Sequence, residues 1–519
     1  MGEPPRKKAR APSYKIEIAG DETHKAKTYE MIKTIKHHML VIQEKGTTNG
    51  DIIQDALSHY ISVLERVVPD YPGSVVEVKK DKTSDMTLFL SCAPSLQRCI
   101  ALSELHGRFC DKQLKIKKQK MKGHVMYCRL KCSEKHEYRW SSSPYIMDTG
   151  LYLINQRLMH GLVVSGMLPS LYERFTNAAA IGCIDHRQRS RFLQDYRSAI
   201  DDVYIDSIKN ARFQEIAMKS YQSDEQEPMD ILTDARHCWR KNAKDSTIVA
   251  LGDLSHKVVA CQHISTQEEP ISQKHEKLGS ERIYEELNKD DIAIGVWAHD
   301  FNSSINKLIK EKPSPTQNQN ETWHGVKNLK KELCKVTKGP KYQHGKTWHS
   351  QLEDKVAPIA THVQYSIRSC DGNPQILKES MDNIVEHYQN NHENCKMQSR
   401  CRKDTNYEPS RTQLTDPKAR ELLKGALRKS LIYRNPENFA LGKDTYYVES
   451  FNNSMLIFQD KRISFTSAEY LSRNKLSVIH WNDNVDRTKT SEFDCNKTVS
   501  RAQNYGYQSR LWKTFMRLK

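Results

Sequence analysis

Three carboxylates sit beside apolar runs in three separate parts of the chain: Asp234 in "ILTDARH", Asp300 in "VWAHDFNSS" and Glu449 in "YYVESFNNSM". Each alone has an ordinary explanation. Asp300 can cap the helix that starts at "FNSSINKL". Asp234 can serve a turn, and Glu449 can be a solvated residue in a first helical turn. Brought together they would raise one another's pKa, and divalent cations would relieve that cost. Oxygen ligands suit Mg²⁺, which keeps water and accepts a phosphate oxygen as a further ligand. Two such ions about 4 Å apart activate a water or a 3′-hydroxyl and stabilise the leaving oxygen. That is the chemistry of phosphodiester cleavage and strand transfer.

The elements needed to position such a trio are legible around them. "MDILTDARHCW", "STIVALGD" and "HKVVACQHIS" are three apolar runs, the last two separated by a Gly-Asp turn. "SERIYEELNKDD" reads as a helix, "IAIGVWAHD" as a buried strand and "FNSSINKLIKE" as a second helix. The order β-β-β-α-β-α over 226–312 is that of an RNase H-like α/β core. It predicts Asp234 at the end of the first strand and Asp300 at the end of the fourth. A late helix at 446–460, within a closing segment 441–490, carries Tyr447, Phe451, Met455 and Phe458 on one apolar stripe. Glu449 falls on the opposite side, beside Asn452 and Asn453.

Between these parts lies a polar, mixed insertion, 313–440, too long to lack structure of its own. It contains His387-x4-His392-x2-Cys395-x5-Cys401. Two imidazoles and two thiolates in tetrahedral reach make a structural Zn²⁺ site, which would hold together a segment with little core. A looser set is Cys128-x3-Cys132-x3-His136, with Cys110 and His124 upstream. A degenerate zinc ribbon and buried strand cysteines are both open there.

The chain has 519 residues, a formal net charge of +17 and 37% hydrophobic residues. The excess of positive charge favours polyanion partners, nucleic acid first. No apolar run is long enough to span a bilayer, so no membrane is expected. The first residues lack a secretory signal, so the 13 cysteines are expected as thiols or metal ligands. Residues 1–14 read as a disordered segment whose Arg6, Lys7, Lys8 and Arg10, next to prolines, resemble a nuclear localisation signal. An α+β region is expected over 15–140, helical at 22–67 and dominated by β signals from about 73. A helical DNA-binding or oligomerisation domain follows over 141–225, and a basic tail over 491–519.

Four stretches together resemble the DDE/D transposases of eukaryotic cut-and-paste DNA transposons, broadly the Mutator and hAT groups, and uncharacterised proteins derived from them. They are "LTDARH", "VWAHDFNSSINKLI", "NETWHGVKNLKKEL" and "YYVESFNNSM". The third is similar to the family's acidic-or-cysteine, two residues, histidine signature, with Glu321 in place of the more usual aspartate or cysteine. The resemblance spans about 225–485, and the 149 positions from Asp300 to Glu449 allow the family's long insertion. It implies Mg²⁺ or Mn²⁺ held by Asp234, Asp300 and Glu449, and His324 close to the site, orienting a scissile phosphate or a metal-bound water. It also implies action on transposon ends and target DNA, often as a homo-oligomer. Lys327, Lys330 and Lys331, in the lysine-rich stretch after Glu321 and His324, are placed to track a DNA backbone; a solvated lysine face fits them equally.

Three functions compete. One is a nuclear, metal-dependent enzyme that cuts and joins DNA. Another is a catalytically inactive DNA-binding protein derived from such an enzyme. The third is a zinc-stabilised interaction protein with no nucleic-acid chemistry.

Overall fold

The computed structural model describes residues 87–221, 227–239, 242–312, 316–486 and 506–519. The basic run at Arg6–Arg10, the helical pattern at 22–67 and the first half of the tail lie outside the described residues.

Among the described residues the strands form two sheets. The smaller comprises β1 (Lys115–Lys122), β2 (Val125–Lys131) and β3 (Glu137–Ser141), antiparallel in that order. Within the stretch where β signals dominate, "APSLQRCIALSELHG" is instead a helix, here called α1 (Ala93–Gly107). Its proline stands in the first turn, where a missing N–H costs nothing.

The sheet that bears the carboxylates has five strands. β4 (Met229–His237), β5 (Asp245–Gly252) and β6 (Val258–Ser265) form an antiparallel meander. β7 (Ile294–His299) pairs parallel with β4, and β8 (Gln317–Asn320) parallel with β7, giving the order β6-β5-β4-β7-β8. All eight residues of β5 are buried, as a strand covered on both faces requires. Ile248 and Ala250 pack under the crossover helices 275–289 and 303–311, through Ile283, Leu287, Ile305 and Leu308. Val249 and Leu251 point the other way and meet Val448, Phe451 and Met455. The pleat thus sends alternate side chains into two separate cores. At Gly279 the crossover helix lies so close that a Cβ would fall 2.5 Å from the Ile248 side chain.

The order β-β-β-α-β-α is present over 229–311, with three differences of detail. β4 runs three residues past Asp234, so the aspartate lies within the strand. β8 is an addition to the expected order, because "QNQN" has no apolar pattern. Its support is pairing with β7 and the buried amide of Gln319, which donates to Glu437 O (2.8 Å) and accepts from Leu441 N–H (3.1 Å), in place of apolar side chains. The late α-helix is shorter than expected. It covers Tyr446–Ser454 and tightens to a 3₁₀ turn at Met455–Ile457. Its buried stripe is Val448, Phe451, Met455 and Phe458, while Tyr447 is half-buried and stacks on the His256 ring at 3.5 Å.

The polar insertion has its own helical core. Helices at 322–337, 356–368, 374–388 and 417–429 enclose Leu329, Val363, Met381, Leu423 and Phe439. Before the large sheet, helices 153–164 and 169–178 and the 35-residue helix His186–Ser220 share a core with Leu476 and Ile479 of the helix Ser467–Asn484. The end of the basic tail joins them. Helix Gly506–Leu518 buries Leu511, Trp512 and Phe515 there. Among the described residues no helix is long and apolar enough to cross a membrane.

Candidate active site

Asp300 directly follows β7 and Glu321 directly follows β8, so two neighbouring parallel strands end in a carboxylate at the same edge. Ligands of open α/β sheets bind at that carboxyl edge. Asp234 on β4 is one residue beyond the Thr233–His299 pair, which sets it next to Asp300. The helix after β7 is capped by Asn302, whose side chain accepts from Ser304 N–H at 2.9 Å. Asp300 is therefore released from the capping role.

Asp300, Glu321 and His324 bring ligand atoms within 4.8 Å of one another. His324 Nδ1 faces Glu321 Oε2 and lies 3.4 Å from Asp300 Oδ1. Glu321 is buried, and its other oxygen accepts from Thr445 Oγ1 at 2.8 Å. Thr445 immediately precedes the helix of Glu449. Thr322 N–H and Oγ1 both donate to Lys443 O, which ties that helix's approach to the start of helix 322–337. Close packing fixes His324 as well. At Gly325 a Cβ would meet Phe439 at 2.6 Å, so only glycine lets this helix seat.

The electrostatics reflect the crowding. Burial raises the Asp234 carboxyl, and the charges of Asp300, Glu276 and Glu449 add to it; together they push it up to about 7. Asn452 Nδ2 donates to Asp234 Oδ2 at 2.8 Å. Burial also raises Asp300, opposed by His324 and reinforced by Glu321. Glu276 is raised mainly by burial, with Asp300 adding to it, and accepts from Asn302 Nδ2 at 2.7 Å. His299 is held neutral by burial, with its Nε2 against Asn318 Oδ1 at 2.9 Å.

Asp234, Glu449 and Asn452 open onto a cleft of about 820 Å³. Glu449 is exposed on the first turn of its helix. Trp239, Lys461 and Arg462 stand on the same cleft and are exposed. An acidic floor with an aromatic and two cations on its wall suits a phosphodiester chain carried past bound cations. Lys327, Lys330 and Lys331 are exposed on helix 322–337, whose first turn carries His324, and Lys327 Nζ lies 4.2 Å over the Trp323 ring.

Residues 261–401 match the family model for Mutator-like transposase. Over that segment the chain is similar to Mutator-like transposases. The matched segment holds Asp300, Glu321 and His324 but neither Asp234 nor Glu449, so those two rest on the sheet and cleft alone. A comparison with curated proteins finds no match.

In the polar insertion, His387, His392, Cys395 and Cys401 converge, with ligand atoms all within 4.8 Å. Cys395 Sγ lies 3.6 Å from His387 Nδ1 and 3.8 Å from His392 Nδ1. Burial lowers both imidazoles and raises the Cys395 thiol, which favours the neutral form of each of these three. In the smaller sheet Cys128 and His124 do not gather with the others. Cys128 packs with Leu102, Leu130 and Trp140, and His124 Nε2 pairs with Tyr172 Oη at 2.7 Å. Cys110, Cys132 and His136 come together with His106 instead. Glu276, Asn302 and His106 carry no signal in the sequence. Each is one polar residue in an unremarkable helical or loop pattern, and only the tertiary fold gives it partners.

Proposed function

We propose that the protein is a transposase that cuts and joins DNA at divalent cations on an RNase H-like core. The observation that carries this is the placement of Asp300 and Glu321 at the carboxyl ends of two adjacent parallel strands, with His324 beside them and Asp234 next to Asp300 within the neighbouring strand β4. The donor set fits the ions. Asp234 and Asp300, both raised, with the carboxylates of Glu321 and Glu449 and one imidazole make an oxygen-rich, net anionic set, which suits Mg²⁺ or Mn²⁺. Bound there, such ions supply Lewis acidity at the phosphate and a nucleophile at neutral pH.

The chain's own groups have separate tasks. Asp234 and Asp300 hold the cations, and Asn452 fixes the Asp234 carboxyl through its hydrogen bond. Glu449 lines the same cleft, on the helix that carries Asn452. Glu321, anchored by Thr445, orients His324 toward Asp300. Lys461, Arg462 and Trp239 bind the strand to be cut, and Lys327, Lys330 and Lys331 follow its backbone. The all-exposed strand β1, with Lys115, Lys117, Lys118, Lys120 and Lys122, adds a sequence-independent phosphate contact. His387, His392, Cys395 and Cys401 would hold a structural zinc ion that ties the insertion together. Zn–S of about 2.3 Å and Zn–N of about 2.0–2.1 Å give a tetrahedral edge of about 3.6 Å, close to the two thiol–imidazole separations above. Nuclear DNA is the substrate, reached through the Arg6–Arg10 run.

The test is nicking of supercoiled plasmid DNA in Mn²⁺ or Mg²⁺. Wild type should nick only with the metal, and Asp234→Asn, Asp300→Asn and Glu449→Gln should each lower the rate about a hundredfold or more. Full activity in Asp234→Asn or Asp300→Asn would remove the carboxylates from the chemistry. A wild type that binds DNA and never nicks it would favour the inactive, transposase-derived DNA-binding protein.

A further inference from the structure

We propose that His106, Cys110, Cys132 and His136 form a second zinc site, which staples α1 to the turn between β2 and β3. Their ligand atoms all lie within 4.8 Å of one another. Cys132 Sγ is 3.5 Å from His136 Nδ1, the edge length expected of a tetrahedral zinc with one sulfur and one nitrogen. The rings of His106 and His136 meet edge to face at 5.5 Å, so both imidazoles already point into one space.

The backbone builds this arrangement from two matched halves. His106 and Cys110 close the last turn of α1, with Cys110 N–H donating to His106 O at 2.9 Å. Cys132 and His136 close the β2–β3 turn, with Cys132 N–H donating to His136 O at 3.2 Å. Lys135 takes φ +67° inside that turn, which lets the chain reverse within four residues. Each half supplies one thiol and one imidazole. The hairpin of β1 and β2 lies between the halves, so a shared ion closes it at its base.

Two further observations ask for a ligand there. His106 is only 3% exposed, yet its Nε2 has no hydrogen-bond partner. A buried imidazole nitrogen left unpaired is costly, and native structures rarely tolerate it. The core beneath the sheet is also small. Among the described residues it is Leu102, Cys128, Leu130 and Trp140. So few buried side chains hold a sheet weakly, and metal binding to a preformed pair of turns supplies folding free energy directly. Zinc fits better than a disulfide between Cys110 and Cys132, because a disulfide would leave two imidazoles converging on nothing. The site's consequence is mechanical. It fixes the sheet whose outer edge is β1, so five exposed lysines are held as one cationic strip rather than on a loose hairpin.

The test is zinc content of the purified full chain by mass spectrometry. Wild type should hold two zinc ions, one in each Cys/His group. Cys110→Ser with Cys132→Ser should hold one, and so should Cys395→Ser with Cys401→Ser. Because either variant could lose zinc through misfolding, a ligand exchange is decisive. His136→Ala should fall to one zinc, while His136→Cys, which restores a donor, should return to two. A Cys110/Cys132 variant with as much zinc as wild type overturns the proposal. So does a His136→Cys variant no better than His136→Ala, or a wild type with one zinc and Cys110 and Cys132 recovered as a disulfide.

Discussion

Replacing Asp234 with asparagine should make the protein more stable at pH 8 in buffer free of Mg²⁺ and Mn²⁺. The native environment raises this carboxyl from 3.8 to about 7, through burial first and then the charges of Asp300, Glu276 and Glu449. Its folded pKa lies above its unfolded value, so between those values the native state holds a proton that the unfolded chain has lost. Stability from this group is therefore fully present below about pH 4 and is lost as pH climbs through about 7. A raise of roughly three pH units, at about 1.4 kcal/mol each, puts the loss at about 4 kcal/mol. Asparagine carries no charge, keeps the shape and avoids the loss. Urea denaturation at pH 5 and pH 8 measures it. The variant should gain up to about 4 kcal/mol over wild type at pH 8 and only about 1.5–2 kcal/mol at pH 5. Saturating Mn²⁺ should stabilise wild type and leave the variant unmoved. A variant less stable than wild type at pH 8, or a difference that ignores pH, would refute the reasoning.

Other outcomes follow from the same packing and charges. Gly325→Ala should destabilise by about 1–3 kcal/mol in urea, because the new Cβ meets Phe439 at 2.6 Å, and should slow nicking as His324 shifts. Phe451→Ala, emptying a fully buried site between the late helix and the sheet, should cost about 3–5 kcal/mol and lower nicking beyond what folding explains. Neutralising Lys117, Lys118 and Lys120 to glutamine should reduce the slope of log K against log salt for duplex binding by about 0.9 for each phosphate that a lysine no longer neutralises, while nicking at low salt persists.

How legible all this was depends on the kind of signal each part leaves. Asp234 and Asp300 were readable because each abuts an apolar run that must be a strand, and the runs come in an order that few folds use. The stripe of the late helix was readable at 3.6-residue spacing, although its last turn tightens to 3₁₀ at Met455. The compact spacing of His387, His392, Cys395 and Cys401 made them a candidate set before any fold was known. β8 was not readable, because "QNQN" buries polar amides, held by backbone pairing and the bonds of Gln319, rather than apolar side chains. His106 was not readable either. It sits in α1, within a stretch where strand-forming residues suggested β structure, and its partners come from a turn about 30 residues on. Long-range convergence of single polar residues leaves no periodicity to detect.

The central claim is that Asp234, Asp300 with Glu321 and His324, and Glu449 face shared cations. Iron-mediated cleavage of the protein's own backbone tests it most directly. Fe²⁺ with ascorbate and peroxide cuts the chain beside bound iron, and sequencing the fragments maps the site. Cuts should cluster near 234, 300, 321–324 and 449, and excess Mg²⁺ should suppress all of them together while sparing any at the Cys/His groups. Cuts at the Cys/His groups with none at 234 and 300, or cuts at 300 that persist when 234 is protected, would contradict a common metal centre.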